Sequence, residues 1–169
     1  EVVDITDIPE HVQLAFISIE DERFYTHDGV DIKGLTRAGL EVLRTGTLEG
    51  PGGSTITQQL IKLTHLTPDK ALERKAVEIF LARDLEQKMS KDEILENYLN
   101  KINFSYAWGV QAASEVYFGK DVGDIDIAQA AVLAATIKAP TYYRPYIVEE
   151  AEDGSYRIAK DEEGNVLHN

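Results

Sequence analysis

The sequence predicts a mostly α-helical domain with a short β-hairpin near its C-terminus. Three observations carry this. Apolar residues recur at helical spacing through most of the chain, cap and stop signals bracket those runs, and the pattern gives way to acidic, turn-forming sequence after about residue 146. With 169 residues and 43% hydrophobic content, the chain is long enough for one domain with its own core and too apolar to be disordered over most of its length.

The elements follow in order. Asp7-Ile8-Pro9 supplies an N-cap and a first-turn proline for a helix whose apolar residues Val12, Ala15, Phe16 and Ile19 keep helical spacing, and which ends near Glu20. Asp31 caps a second helix, with Leu35, Ala38, Val42 and Leu43 expected inward and Gly46 at the stop. Gly50-Pro51-Gly52-Gly53 is a loop, and helix resumes at Thr55 or Ile56. Thr67-Pro68 opens a long helix through Lys88. Ser90 with Glu93 fits a capping box and starts a helix reaching Asn100. Further helices are expected over residues 107–118, stopped by Gly119, and from about Ile127 to Lys138. In the tail, Tyr156-Arg157-Ile158 and Val166-Leu167 flank residues 161–165, which reads as a hairpin or a loose acidic loop.

Composition narrows the function. The net charge of −13 argues against nonspecific nucleic-acid binding, which requires a basic surface. The charge is uneven: residues 149–169 hold seven acids and two bases, whereas residues 58–101 hold eight of each, leaving room for a locally basic cleft. The absence of cysteine excludes thiol catalysis, disulfides and Cys-type zinc sites. No stretch approaches the roughly 20 apolar residues that span a bilayer. The chain opens at Glu1 in mid-phrase, with no signal peptide, and is read as a piece of a longer protein.

Three segments can carry chemistry. Glu20 ends an apolar helix beside Asp21 and Glu22; it is either a solvated helix end or a carboxylate at the lip of a cleft, where Phe16 and Phe24 would make it a usable acid or base. Residues 52–59, Gly-Gly-Ser-Thr-Ile-Thr-Gln-Gln, run from glycines into a hydroxyl-rich helix start that can offer N–H groups to an anion, with Lys62 one turn on; an ordinary capped loop has the same composition. Lys70, Arg74, Lys75 and Glu78 form either a surface ion-pair cluster or a phosphate grip in which Glu78 orients the cations or binds a metal. His27 has no second histidine at ligand spacing and reads as structural.

Taken together, these segments resemble the peptidoglycan glycosyltransferase (transglycosylase) domain of class A penicillin-binding proteins and monofunctional transglycosylases. The motifs are residues 20–29 (Glu-Asp-Glu-Arg-Phe-Tyr-Thr-His-Asp-Gly), 52–59 continuing to Lys62, 74–78 (Arg-Lys-Ala-Val-Glu) and 91–100 (Lys-Asp-Glu-Ile-Leu-Glu-Asn-Tyr-Leu-Asn). Gly109, residues 117–120, the alanine-rich run 128–135 and Ala139-Pro140 continue the match. It departs at Pro51, where the family often has glutamine, at residues 103–108, and after Pro140, where an Arg-Arg-containing helix is expected and an acidic tail follows. The resemblance therefore divides the chain into a glycosyltransferase domain, 1–146, and an acidic tail or insertion, 147–169.

The resemblance implies a lysozyme-like helical fold with an active-site cleft. It implies polymerisation of lipid II, by inverting transfer from a polyprenyl-pyrophosphate-linked glycan to the 4-hydroxyl of the acceptor sugar. Glu20 corresponds to the catalytic base and Glu78 to the second catalytic carboxylate. Lys62, Arg74 and Lys70 would hold the pyrophosphate, and Phe24, Ser54, Thr57, Gln58 and Gln59 would line the substrate cleft. No cofactor is obligatory, although Mg2+ or Mn2+ bridging the pyrophosphate would aid its departure. The lipid substrate places the parent protein at the extracytoplasmic face of the bacterial membrane, anchored by segments beyond this chain, with room for a transpeptidase domain in the full-length protein. Residues 32–48 either dock into the bilayer surface or pack their apolar side in the core. A lysozyme-like glycoside hydrolase and an inactive glycan- or lipid-binding module are the alternative readings.

Overall fold

The computed structural model describes residues 1–46, 53–65, 71–138, 140–151, 154 and 156–168, with side chains for all of these except 65, 71–74, 140 and 141. The helices are α1 (Glu10–Glu20), α2 (Ile32–Thr45), α3 (Ile56–His65), α4 (Ala71–Glu86), α5 (Lys91–Lys101), α6 (Val110–Phe118), α7 (Ile127–Thr136) and the single-turn α8 (Pro140–Tyr143). Strands β1 (Val148–Glu150) and β2 (Tyr156–Ile158) pair antiparallel, with Val148 opposite Ile158 and Glu150 opposite Tyr156. The mostly helical reading of the sequence is met. Among the described residues no helix is long and apolar enough to cross a membrane.

The chain forms two compact units: Ile17–Tyr98, and Glu1–Phe16 together with Leu99–Asn169. In the first, α3 packs on α4, and Phe24, Ile56, Leu60, Ile61, Ala82, Ile94 and Leu95 are buried. Gly29, at φ +80°, lies so close to α4 that a Cβ there would come within 2.6 Å of the Ala82 carbonyl oxygen, so only glycine allows that approach. α5 opens with the expected capping box: the Ser90 N–H donates to Glu93 Oε2 at 2.7 Å, and the Glu93 N–H donates to Ser90 Oγ at 3.3 Å.

α2 begins after Asp31 and stops at Gly46 in the left-handed conformation, as the sequence signals indicate. Its facing is different from the expectation. Leu43 is 85% exposed and Leu35 is 41% exposed. The inner side is built from small residues instead: Gly34 is buried, and a Cβ on Gly53 would lie 3.3 Å from Ala38 Cβ and 3.2 Å from the Leu35 Cα. Close backbone approach, rather than leucine packing, seats this helix.

In the second unit α6 packs against α7 and β2, and Val110, Ala113, Tyr117, Ala130, Leu133 and Ala134 are buried. α7 has its own capping box, Asp126 with Gln129. α6 begins at Val110, three residues later than expected, because residues 103–108 close a tight loop: the Phe104 N–H donates to the Ala107 carbonyl at 2.9 Å and the Gly109 N–H to the Ile102 carbonyl at 2.8 Å. The tail is a hairpin. The turn at 161–165 forms, with Lys160 bridging to Val166, while the partner of Tyr156–Ile158 is Val148–Glu150, a segment too short and too acidic to read as a strand. Val148 and Ala159 are buried, so the tail packs.

Candidate active site

The site is assembled within the Ile17–Tyr98 unit. Glu20 is the last residue of α1 and is half-buried. Among the described residues, its hydrogen-bond partner is the Gln59 side chain, whose Nε2 donates to Glu20 Oε2 at 2.7 Å. The Tyr98 hydroxyl donates to Gln59 Oε1 at 3.3 Å. Chemistry sets the direction of this chain. A carboxylate only accepts, so the amide NH2 faces Glu20 and the amide oxygen faces Tyr98, which must then donate. Tyr98 is well placed to remain a donor: burial raises its pKa, and the negative charges of Glu20 and Asp21 raise it further.

The next residue, Asp21, is buried and has a structural task. It accepts from His27 Nε2 at 2.9 Å and from the backbone N–H of Ile56 at 3.0 Å. Ile56 opens α3, so a carboxylate from the end of α1 caps a helix 35 residues away and meets the positive end of its dipole. Thr55 and Gln58 add a reciprocal box, at 3.0 and 3.1 Å, and the Thr55 hydroxyl donates to the Gly29 carbonyl at 2.7 Å. Behind them, Lys91 Nζ donates to Glu86 and to the His27 carbonyl, each at 2.7 Å, and lies 4.5 Å from the centre of the Phe24 ring. The Thr57 hydroxyl also donates to Glu86. His27 Nδ1 is buried with no hydrogen-bond partner among the described residues, 4.0 Å from Glu86.

Glu78 lies on α4 and is 5% exposed. Lys75 Nζ stands 3.2 Å from its Oε2 and donates to Ser54 Oγ at 2.8 Å. Residues 54–59 therefore touch Lys75, the partner of Glu78, at one end and Glu20 at the other. The N–H groups at this end of α3 are already taken up: Thr55 donates to Gln58, Ile56 to Asp21, and Gln58 to Thr55.

The structure thus brings Glu20 to Gln59, and Ser54 to Lys75 and Glu78. It buries Phe24, Thr57 and Gln58 in internal contacts. Lys62 is exposed, one turn beyond Gln59 on α3. Lys70 lies outside the described residues, as does the side chain of Arg74. The sequence reading assigned no part to Tyr98, Asp21, Glu86 or Lys91. The signal for Tyr98 was a hydroxyl inside an apolar helical run, which needs a partner when buried. Among the described residues no three His, Asp or Glu side chains gather to hold a metal ion.

The transglycosylase family model matches residues 1–162. Penicillin-binding protein 1F of Bacillus subtilis (strain 168) is 48% identical over 149 residues, covering 87% of this chain and 21% of that protein. Penicillin-binding protein 1A of Escherichia coli (strain K12) is 48% identical over 144 residues, 85% of this chain and 17% of that protein. Penicillin-binding protein 1A of Aquifex aeolicus (strain VF5) is 47% identical over 145 residues, 85% of this chain and 20% of that protein. The chain spans about a fifth of the length of these curated relatives. With its family model matched from residue 1 to residue 162 and relatives identical at nearly half of the aligned positions, this chain belongs to the transglycosylase family.

Proposed function

We propose that this chain polymerises lipid II into glycan strands, with Glu20 as the general base. The single observation that carries this reading is that Glu20 is half-buried against a neutral amide, while a lysine stands at the far end of the same six-residue segment. A neutral partner orients the carboxylate through one oxygen and, among the described residues, leaves the other without a hydrogen bond. It would take the proton of the acceptor's 4-hydroxyl. That oxygen attacks the donor's anomeric carbon from the side opposite the polyprenyl pyrophosphate, which leaves with the bonding electron pair, and the α linkage becomes β.

The leaving group gains negative charge as the bond breaks, so fixed positive groups aimed at it lower the barrier. Lys75 and Lys62 supply such groups, joined in the family pattern by Lys70 and Arg74. Glu78 holds Lys75 against Ser54 and so fixes a cation at the helix terminus. A Mg2+ or Mn2+ ion brought in on the pyrophosphate would neutralise part of the leaving group's charge. Phe24, Thr57 and Gln58 act from beneath, through the contacts that seat α3.

A lipid-borne substrate requires the protein to work at a membrane surface. The outward face of α2, with Ile32 73%, Leu40 62% and Leu43 85% exposed, supports interfacial docking at the extracytoplasmic face of the bacterial membrane. A longer parent chain would supply the anchor and a transpeptidase domain.

Product analysis tests the reading. Incubated with lipid II, the protein should yield glycan polymer and free polyprenyl pyrophosphate. Cleavage of finished glycan, with no polymer from lipid II, would overturn it in favour of a hydrolase.

A further inference from the structure

We propose that α2 recognises anionic phospholipid headgroups through a basic edge formed by Lys33, Arg37 and Arg44. The inference rests on the interfacial docking of α2 put forward above and specifies the lipid it meets. At about 100° per residue, the exposed residues Ile32, Leu35, Thr36, Gly39, Leu40 and Leu43 occupy one arc roughly 140° wide. The three cations fall within about 40° of one another, immediately beside that arc. All three are exposed, and none is paired with a carboxylate among the described residues. Gly34, Ala38 and Val42 form the remaining, inward side.

Charge complementarity selects the occupant. The protein as a whole carries −13 and would be repelled by an anionic surface. α2 runs against that background, with three bases and the single acid Glu41. Lys33, Arg37 and Glu41 line a shallow groove with Ile32, Thr36 and Leu40, where the apolar arc meets the basic edge. A helix lying with its leucines in the acyl boundary holds such side chains at headgroup depth, their stems on the apolar surface and their charges among phosphates.

Binding of the full chain to vesicles of pure phosphatidylcholine, and of phosphatidylcholine mixed with phosphatidylglycerol, tests this without any glycan substrate. Each cation near an anionic surface contributes roughly fivefold to affinity, so a preference on the order of tenfold to a hundredfold for the mixed vesicles is expected at low salt, fading as salt rises. The triple variant Lys33→Gln, Arg37→Gln, Arg44→Gln should lose that preference yet still bind both vesicles weakly. The single variants Arg37→Gln and Arg44→Gln should each lose about fivefold. Leu40→Gln with Leu43→Gln should weaken binding to both. Equal binding of the unaltered protein to the two vesicles, or an undiminished preference in the triple variant, overturns the headgroup assignment while leaving docking intact. Binding to neither overturns the docking on which it rests.

Discussion

The two compact units treat buried polarity differently. Among the described residues, the second unit buries Gln111, Ser114 and Thr136, an amide and two hydroxyls. Each is used nearby: Gln111 accepts from the Val122 N–H at 3.0 Å, the Ser114 hydroxyl donates to the Lys120 carbonyl, and the Thr136 hydroxyl to the Val132 carbonyl. Ile17–Tyr98 buries the carboxylates of Asp21 and Glu78 as well, and connects them across long stretches of chain. Burying a carboxylate is costly unless it is hydrogen-bonded or paired. The first unit accepts that cost and gains a fixed helix terminus between two acids. The second uses its polar groups on nearby backbone. On the proposed reading, one unit is organised for chemistry and the other for stability.

Variants can break this contrast, beginning with the largest effect. Asp21→Asn removes the charge from the α3 cap and from His27. It should cost about 2–3 kcal/mol of stability, read by chemical denaturation, and should lower polymerisation as well, because the α3 terminus shifts. Loss of stability with full activity in the surviving fold would mean that this cap does not organise the site. Gln59→Ala frees Glu20 from its orienting amide; kcat should fall on the order of tenfold or more, with a much smaller change in the melting curve.

Tyr98→Phe sharpens the contrast through pH. The folded protein holds the Tyr98 hydroxyl protonated to higher pH than the unfolded chain does, so its contribution is intact below the ordinary tyrosine pKa of about 10 and is lost as pH rises beyond it. Denaturation midpoints of the unaltered protein should therefore fall above about pH 10 more steeply than those of the phenylalanine variant. Near neutral pH the variant should be less stable by about 1 kcal/mol, from the lost hydrogen bond. Parallel alkaline slopes would show that burial beside Glu20 and Asp21 does not hold the Tyr98 hydroxyl protonated. Asp126→Ala, in the other unit, removes the α7 cap. It should cost about 1 kcal/mol of stability and leave kcat unchanged, and a fall in kcat at full folding would erase the distinction between the units.

The sequence made some of this legible and hid the rest for physical reasons. Glu20 stood out because an apolar helix ends there in acids, and α2 because Asp31 and Gly46 are local start and stop signals that need no tertiary information. The facing of α2 was not legible. Gly34 and Ala38 carry almost no hydropathy signal, although their smallness is what admits the neighbouring loop. Gln59 was recognisable as polar in a helix, but its two partners lie 39 residues away on either side in sequence. Nothing local in sequence singled out Lys75, because its contact with Ser54 comes from the packing of α4. β1 was missed because its two glutamates suppress strand propensity, while the pairing that makes it a strand is supplied by β2.

The most direct measurement is the initial rate of polymer formation from lipid II by Glu20→Gln, set beside its melting curve. The glutamine keeps the shape and can still hydrogen-bond Gln59 but cannot take a proton. The rate should fall by at least about a hundredfold with the melting temperature nearly unchanged. A folded Glu20→Gln protein that polymerises within a few-fold of the original rate would show that the base lies elsewhere.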